Sequence, residues 1–323
     1  MKKHFRVFSL IVGLVLGAAV AVAQEPSDRI GMLGPQEEPR FSELRDGLRQ
    51  GLRDQGYAEQ AIEILEVRVT REEQESVRVA VEDFLRQRVK VLVVIGSKLT
   101  KLARQVSSEL PIVYITPGDP VEQGLAASLA RPGGQTTAMT FEYPELTGKR
   151  LQLLQEMLPG LRRVLILYDP RDESPRGSVA VARQAAPKLG LTLVERETRS
   201  QDDIARGLKG LTEVEAFLVI PGGLPTGHYA EIIRAAHAKR VPTMFHARTG
   251  STMEALVSYG TSDVEIARQL ARHVAKILKG VKAGDLPVER PMRLELVINL
   301  KTAKQLGVTI PPVVLMQADR VLQ

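Results

Sequence analysis

The sequence contains neither cysteine nor tryptophan. Without cysteine there is no disulfide staple, thiolate metal site, cysteine nucleophile or lipid-modified cysteine anchor. Without tryptophan, an apolar ligand platform has to come from tyrosine, phenylalanine or methionine. The five histidines (His4, His228, His237, His246 and His273) form no metal-spaced pair with an acidic residue on one helical turn, so no metal is expected. The glycine patterns of dinucleotide and P-loop sites are missing, as is the G-x-S-x-G elbow of serine hydrolases. Gly96-Ser97-Lys98 comes nearest to a P-loop but lacks the glycine that should precede it. Past the N-terminus no apolar run is long enough to span a membrane.

The rest of the composition is that of a globular protein of about two domains, 44% hydrophobic and 25% charged over 323 residues. The net charge of +6 is inflated by Lys2, Lys3 and Arg6; without them 41 basic residues face 38 acidic ones, a balance of +3. No basic block interleaved with aromatics appears, so a solvated surface is expected and no nucleic-acid partner. Met1 to Arg6 is basic, Val7 to Val20 is almost wholly apolar, and Ala21-Val22-Ala23 precedes Gln24. This three-part layout predicts a signal peptide over residues 1–23, cleaved after Ala23, and a periplasmic mature protein. Away from ATP and NADPH, no cofactor is expected.

Along the body, short β-rich runs alternate with helical patterns. Arg29 to Leu33 reads as a strand, and Phe41, Leu44, Leu48 and Leu52 fall at helical spacing before Gly56, which is placed to cap. Ile62 to Val69 alternates as a strand and Glu72 to Arg88 is helical. Val89 to Ile95 is apolar on both faces, like a central parallel strand. A helix near Leu99 to Ser107 and a strand over Pro111 to Thr116 follow. The second half repeats the rhythm: helices over Leu146 to Leu158 and Pro175 to Leu189, strands over Arg163 to Tyr168, Leu191 to Glu195, Ala216 to Ile220 and Val241 to Phe245. The fold class is therefore α/β, with two doubly wound parallel-sheet lobes of about five strands each and a cleft between them.

Ligands of such sheets sit beyond the C-terminal strand ends, where loops enter helix N-termini. Those ends read Gly34-Pro35-Gln36, Gly96-Ser97, Pro117-Gly118-Asp119-Pro120, Asp169-Pro170 and Pro221-Gly222-Gly223. Loops of this composition let backbone N–H groups approach a ligand, and a helix start favours an anion. The candidate ligand-binding residues are Gln36, Gly96, Ser97, Gly118, Asp119, Asp169, Pro221, Gly222, His246 and Tyr259. His246 follows a strand end. His237 and His273 are expected on helix surfaces, and His228 near a helix start. Asp119 has an alternative use as a turn-capping side chain, and Tyr259 as core packing.

Several stretches then carry a resemblance. They include Gly118-Asp119-Pro120-Val121, Ser128-Leu129-Ala130-Arg131-Pro132-Gly133-Gly134 and Pro144-Glu145-Leu146-Thr147-Gly148-Lys149-Arg150-Leu151. Further matches are Val257-Ser258-Tyr259-Gly260, Lys276-Ile277-Leu278-Lys279-Gly280, Leu286-Pro287-Val288-Glu289 and Leu296-Val297-Ile298-Asn299-Leu300-Lys301-Thr302-Ala303. From Asp28 to Gln323 the chain closely resembles the periplasmic substrate-binding proteins of ABC transporters in the tryptophan/tyrosine-type uptake family, which have the type I periplasmic-binding-protein fold. The resemblance implies two lobes that enclose a small molecule, read by an inner-membrane permease, in a monomeric protein. Crossings between lobes are expected near Thr140 to Pro144, Ala255 to Tyr259 and Pro287 to Met292, the last alternatively a surface loop. That divides the chain into a first lobe of 27–142 plus 258–288 and a second of 143–257 plus 289–323.

The family pattern places Ser97, after its glycine, to meet a ligand carboxylate, with Asp119 and Asp169 as acceptors for an ammonium group. The chain departs from it in four places: Asp169-Pro170 replaces Asn-Pro, Pro221-Gly222 replaces Pro-Asp, Gln135 stands for Asn, and His246 to Met253 is not the usual Gly/Phe-Glu loop. Lys98, Lys101 and Arg248 could bring positive charge to the rim. An aromatic or other amino acid, or a related small carboxylate, is the expected ligand. No catalysis is expected. The alternatives are a periplasmic sensor presenting its ligand to a membrane receptor, and an exported hydrolase using Asp119 or Asp169 with a raised carboxyl pKa. A DNA-binding repressor of this fold would need a helix-turn-helix where the export segment stands.

Overall fold

A computed structural model of the chain describes residues 28–323 except 37, 39, 71–73, 142–143 and 173–174. The predicted export segment lies outside the described residues. The first lobe opens with β1 (Asp28–Pro35), α1 (Phe41–Asp54), β2 (Ile62–Val69), α2 (Gln74–Arg86), β3 (Val91–Ile95), α3 (Ser97–Val106), β4 (Ile112–Thr116) and β5 (Thr136–Thr140). Its five strands are all parallel, in the order β2-β1-β3-β4-β5. β3 and β4 are buried along their whole length, as their apolar runs require, whereas β2 is an edge strand and mostly only half-buried.

The second lobe begins with α4 (Pro144–Met157), β6 (Arg163–Tyr168), α5 (Arg176–Lys188), β7 (Thr192–Glu197), α6 (Gln201–Lys209), β8 (Ala216–Leu218), α7 (Tyr229–Ala238), β9 (Thr243–Ala247), α8 (Arg248–Thr252) and β10 (Val257–Thr261). After α9 (Asp263–Leu278) come β11 (Glu295–Asn299), α10 (Leu300–Leu306), α11 (Pro312–Leu315) and β12 (Arg320–Leu322). The second sheet has seven strands, ordered β12-β11-β10-β9-β8-β6-β7, rather than five. Its β10–β11 pair is antiparallel, an exception to the parallel pattern, because β11 enters from the other lobe instead of from a crossover helix.

The expected crossing at Ala255 to Tyr259 is corrected. Ala255, Leu256 and Val257 are buried in the second lobe and residues 257–261 are a strand of its sheet. The chain leaves only after Thr261, and α9 then packs on α1 in the first-lobe core. That seam is very close: a Cβ at Gly47 would lie 2.4 Å from the Val264 carbonyl oxygen, and one at Gly51 2.5 Å from that of Arg268. The Pro287 stretch is not a free loop. Thr137 Oγ1 donates to the Leu286 carbonyl (2.9 Å), and Glu289 pairs with β5 through Glu289 N to Ala138 O and Thr140 N to Glu289 O, each 3.0 Å. The return to the second lobe therefore runs from Glu289 to Glu295.

Candidate functional site

The C-terminal ends of the two sheets face each other across a cleft. The first lobe supplies Pro35 at the end of β1 with Glu38 and Arg40 beyond it, Ile95 to Leu99 at the β3–α3 junction, Ile115 of β4 with Pro117 just after it, and Phe141 after β5. The second supplies Asp172, Pro221, Gly222, Thr226, Tyr229 and His246. Five of the ten candidates, Gly96, Ser97, Pro221, Gly222 and His246, stand together here. Gly96 holds φ at +103°, a conformation that favours glycine, and so turns β3 directly into α3. Ser97, 8% exposed, opens that helix. The first turn of a helix leaves N–H donors without acceptors of its own, so the Ser97–Leu99 wall suits an anion.

The other five candidates stand elsewhere, each for a local reason. Gln36 is exposed at the end of β1 and spends its N–H on the Val69 carbonyl (2.9 Å). Gly118 and Asp119 line an adjoining pocket with Pro144, Arg176 and Arg290. There Asp119 Oδ1 accepts the Val121 N–H at 2.7 Å, which makes it a turn-capping carboxylate. Asp169 is 5% exposed and gripped by Arg171, whose Nη2 donates to Oδ2 at 2.8 Å and Nε to Oδ1 at 3.0 Å. Burial alone would raise its pKa, but the Arg171 hydrogen bonds and charge, with backbone donors, hold it below the usual carboxylate range. The hydrolase alternative asked for the opposite shift. Tyr259 packs its ring against the second-lobe core, while its carbonyl accepts from Arg150 Nε at 2.8 Å. Lys98 lines the cleft; Lys101 and Arg248 do not.

Residues that the sequence pattern does not single out form the rest of the site. Arg40 is a buried guanidinium clasped by Glu38 (Nε–Oε1 2.8 Å, Nη2–Oε2 3.2 Å) and by Asp263 at the start of α9 (Nη1–Oδ1 3.2 Å). Burial opposes its charge, but the two carboxylates outweigh burial and raise its pKa. Asp263 also accepts the Thr249 hydroxyl, from α8 of the second lobe, yet burial still pushes its carboxyl up. Arg40 lies 4.9 Å from the centre of the Phe141 ring. Phe141 in turn stacks on His246 (6.0 Å, 28°), which meets Tyr229 at 5.9 Å. Asp172 Oδ2 accepts the Gly223 N–H at 2.7 Å and fixes the Pro221-Gly222 loop. The surface expectation for His273 is also corrected: it is 1% exposed, because α9 is covered on both sides, and its Nε2 lies 2.9 Å from the Pro287 carbonyl. His228 does lie at a helix start, beside Glu231. Among the described residues no cluster could hold a metal and no helix is long and apolar enough to cross a membrane.

Comparison with known proteins points the same way. A family model described as ABC transporter substrate binding protein matches residues 29–322. A curated relative, the tyrosine-binding protein of Clostridioides difficile (strain R20291), is 20% identical over 324 residues, spanning 95% of this chain and 93% of that protein. Among solved structures, a conserved domain protein from Vibrio cholerae superposes with a TM-score of 0.82 at 24% identity, covering 91% of this chain and 99% of that one. The ABC domain from Streptococcus pneumoniae in complex with L-Trp superposes with a TM-score of 0.82 at 22% identity, covering 92% of this chain and all of that one.

Proposed function

The chain belongs to the ABC transporter substrate-binding protein family, and from that premise we propose that it captures an aromatic amino acid in the cleft and delivers it to a permease. The observation that carries this is the pairing of an anion-suited helix start, Ser97–Leu99, with an apolar, aromatic-walled cleft made by Ile95, Ile115, Phe141 and Tyr229. A ligand carboxylate fits the first and a ring the second, and the Glu38 and Asp172 carboxylates stand on either side of the same space for an ammonium group. The tyrosine in one relative's name and the L-Trp bound in another support this ligand class. In this reading the protein performs no chemistry, works as a monomer, and is exported to the periplasm with cleavage after Ala23. N-terminal sequencing of the periplasmic protein, with Gln24 expected first, checks the last point.

Titration calorimetry against a panel of aromatic, aliphatic and charged amino acids tests the reading. Saturable one-to-one binding of an aromatic amino acid is expected. Ser97→Ala should weaken it by roughly ten- to 150-fold, the worth of one charge-assisted hydrogen bond. Asp119→Ala, whose carboxylate is committed to its own turn, should leave the affinity unchanged. An aromatic amino acid that binds equally well to the Ser97 variant would remove the carboxylate assignment, and no binding across the panel would remove the ligand class.

A further inference from the structure

His246 is 3% exposed, lines the cleft, and its Nδ1 has no hydrogen-bond partner among the described residues. A polar atom buried without a partner costs stability that a ligand can recover. The residue is also held firmly. Gly260 brings β10 so near that a Cβ there would lie 1.7 Å from the His246 carbonyl oxygen, which also faces Arg150 Nη2 at 3.5 Å. With the ring stacked on Phe141 and tilted against Tyr229, the imidazole is a fixed polar edge in an aromatic wall.

The chemistry of the wall narrows what it can meet. Burial, and then the positive charges of Arg40 and Arg150, keep the imidazole neutral. The ligand's ammonium group already has the Glu38 and Asp172 carboxylates that line the same cleft. The carboxylate already has the start of α3, on the opposite lobe. What remains for His246 is the ligand's ring, and a neutral imidazole offers one acceptor nitrogen and one N–H. We infer that His246 sets specificity: its imidazole hydrogen-bonds a polar atom on the ligand's ring, so the cleft selects aromatic amino acids bearing a phenol hydroxyl or an indole N–H over phenylalanine. This rests on the amino-acid reading of the cleft.

Calorimetry of the exported chain with L-tyrosine, L-tryptophan and L-phenylalanine provides the test. The wild type should bind tyrosine or tryptophan roughly ten- to a hundredfold more tightly than phenylalanine, because phenylalanine leaves the imidazole unpaired. His246→Phe keeps the ring packing and should bring the three ligands to near parity. His246→Gln retains a hydrogen-bonding group and should restore part of the preference. If His246→Phe does not fold, the wild-type ratio and the Gln variant decide. Wild-type binding of all three without discrimination, or a preference unchanged in His246→Phe, overturns the role of His246 and leaves the amino-acid reading standing. Wild-type binding of none of the three overturns both.

Discussion

Two histidines, His246 and His273, are placed where protonation is disfavoured, in each case first by burial. For His273 the nearby Glu289 carboxylate pulls the other way without prevailing. A histidine whose folded pKa is depressed takes up protons more readily in the unfolded chain. Its contribution to stability is therefore complete above its ordinary pKa of about 6.5 and is lost as the pH falls below it. Asp263, whose carboxyl is raised, acts with the opposite sign: its contribution is present at low pH and lost as the pH rises through its folded value. A variant comparison separates them. The unfolding free energy of His273→Gln, from urea titration, should fall less than that of the wild type between pH 7 and pH 5, by at most about 1.4 kcal/mol per pH unit. Parallel curves would mean that His273 protonates equally well in the native state. At this scale sequence reading succeeds only where chemistry is local. Gly96 and Ser97 are legible because a strand end, a glycine and a hydroxyl are adjacent. Arg40 is illegible because, of its two carboxylate partners, Asp263 is 223 residues away and looks, in sequence, like an ordinary acidic residue at the start of a helix.

At the scale of elements, the α1–α9 seam joins parts of the chain that are far apart in sequence, Asp54 and Arg268 being 214 residues apart. Gly47 and Gly51 lie one turn apart on α1 and meet the backbone of Val264 and Arg268, with Ala267 and Ala271 beside them. In an exposed helix, glycine to alanine stabilises by about 1 kcal/mol. Here the added carbon of Gly51→Ala would approach backbone 2.5 Å away, so the helices must part. The expected sign is reversed: a loss of roughly 1–3 kcal/mol, as for other overpacked cores, read from urea or thermal unfolding. A stabilised Gly51→Ala would show that the seam opens without cost. Buried runs such as Val91–Ile95 and Arg163–Tyr168 announce themselves as strands. β5, Thr-Thr-Ala-Met-Thr, does not: its buried threonines resemble a loop until Thr137 and Thr140 are seen donating to the Leu286 and Gly118 carbonyls. α9 is readable as a helix, yet no local signal assigns it to the first lobe, because the apolar stripe that docks on α1 would serve either lobe.

Across the whole molecule, two described segments join the lobes, Thr261 to Asp263 and Glu289 to Glu295, and the chain also passes from β5 of the first lobe to α4 of the second. Three connections permit rotation about a shared axis and resist free separation, and the binding groups are divided across that axis. Ser97 and the start of α3 belong to the first lobe; Pro221, Gly222 and His246 belong to the second. A ligand satisfied by both walls must bind the closed arrangement more tightly than an open one, so binding and closure are one equilibrium. Small-angle scattering of the protein should therefore report a smaller radius of gyration at saturating ligand than without it. Ser97→Ala removes affinity from one wall and should need proportionally more ligand to reach the same compact state. A radius independent of ligand, with calorimetry showing occupancy, would mean that the lobes are already fixed around the cleft and that the ligand enters by local motion of the loops after β3 and β8.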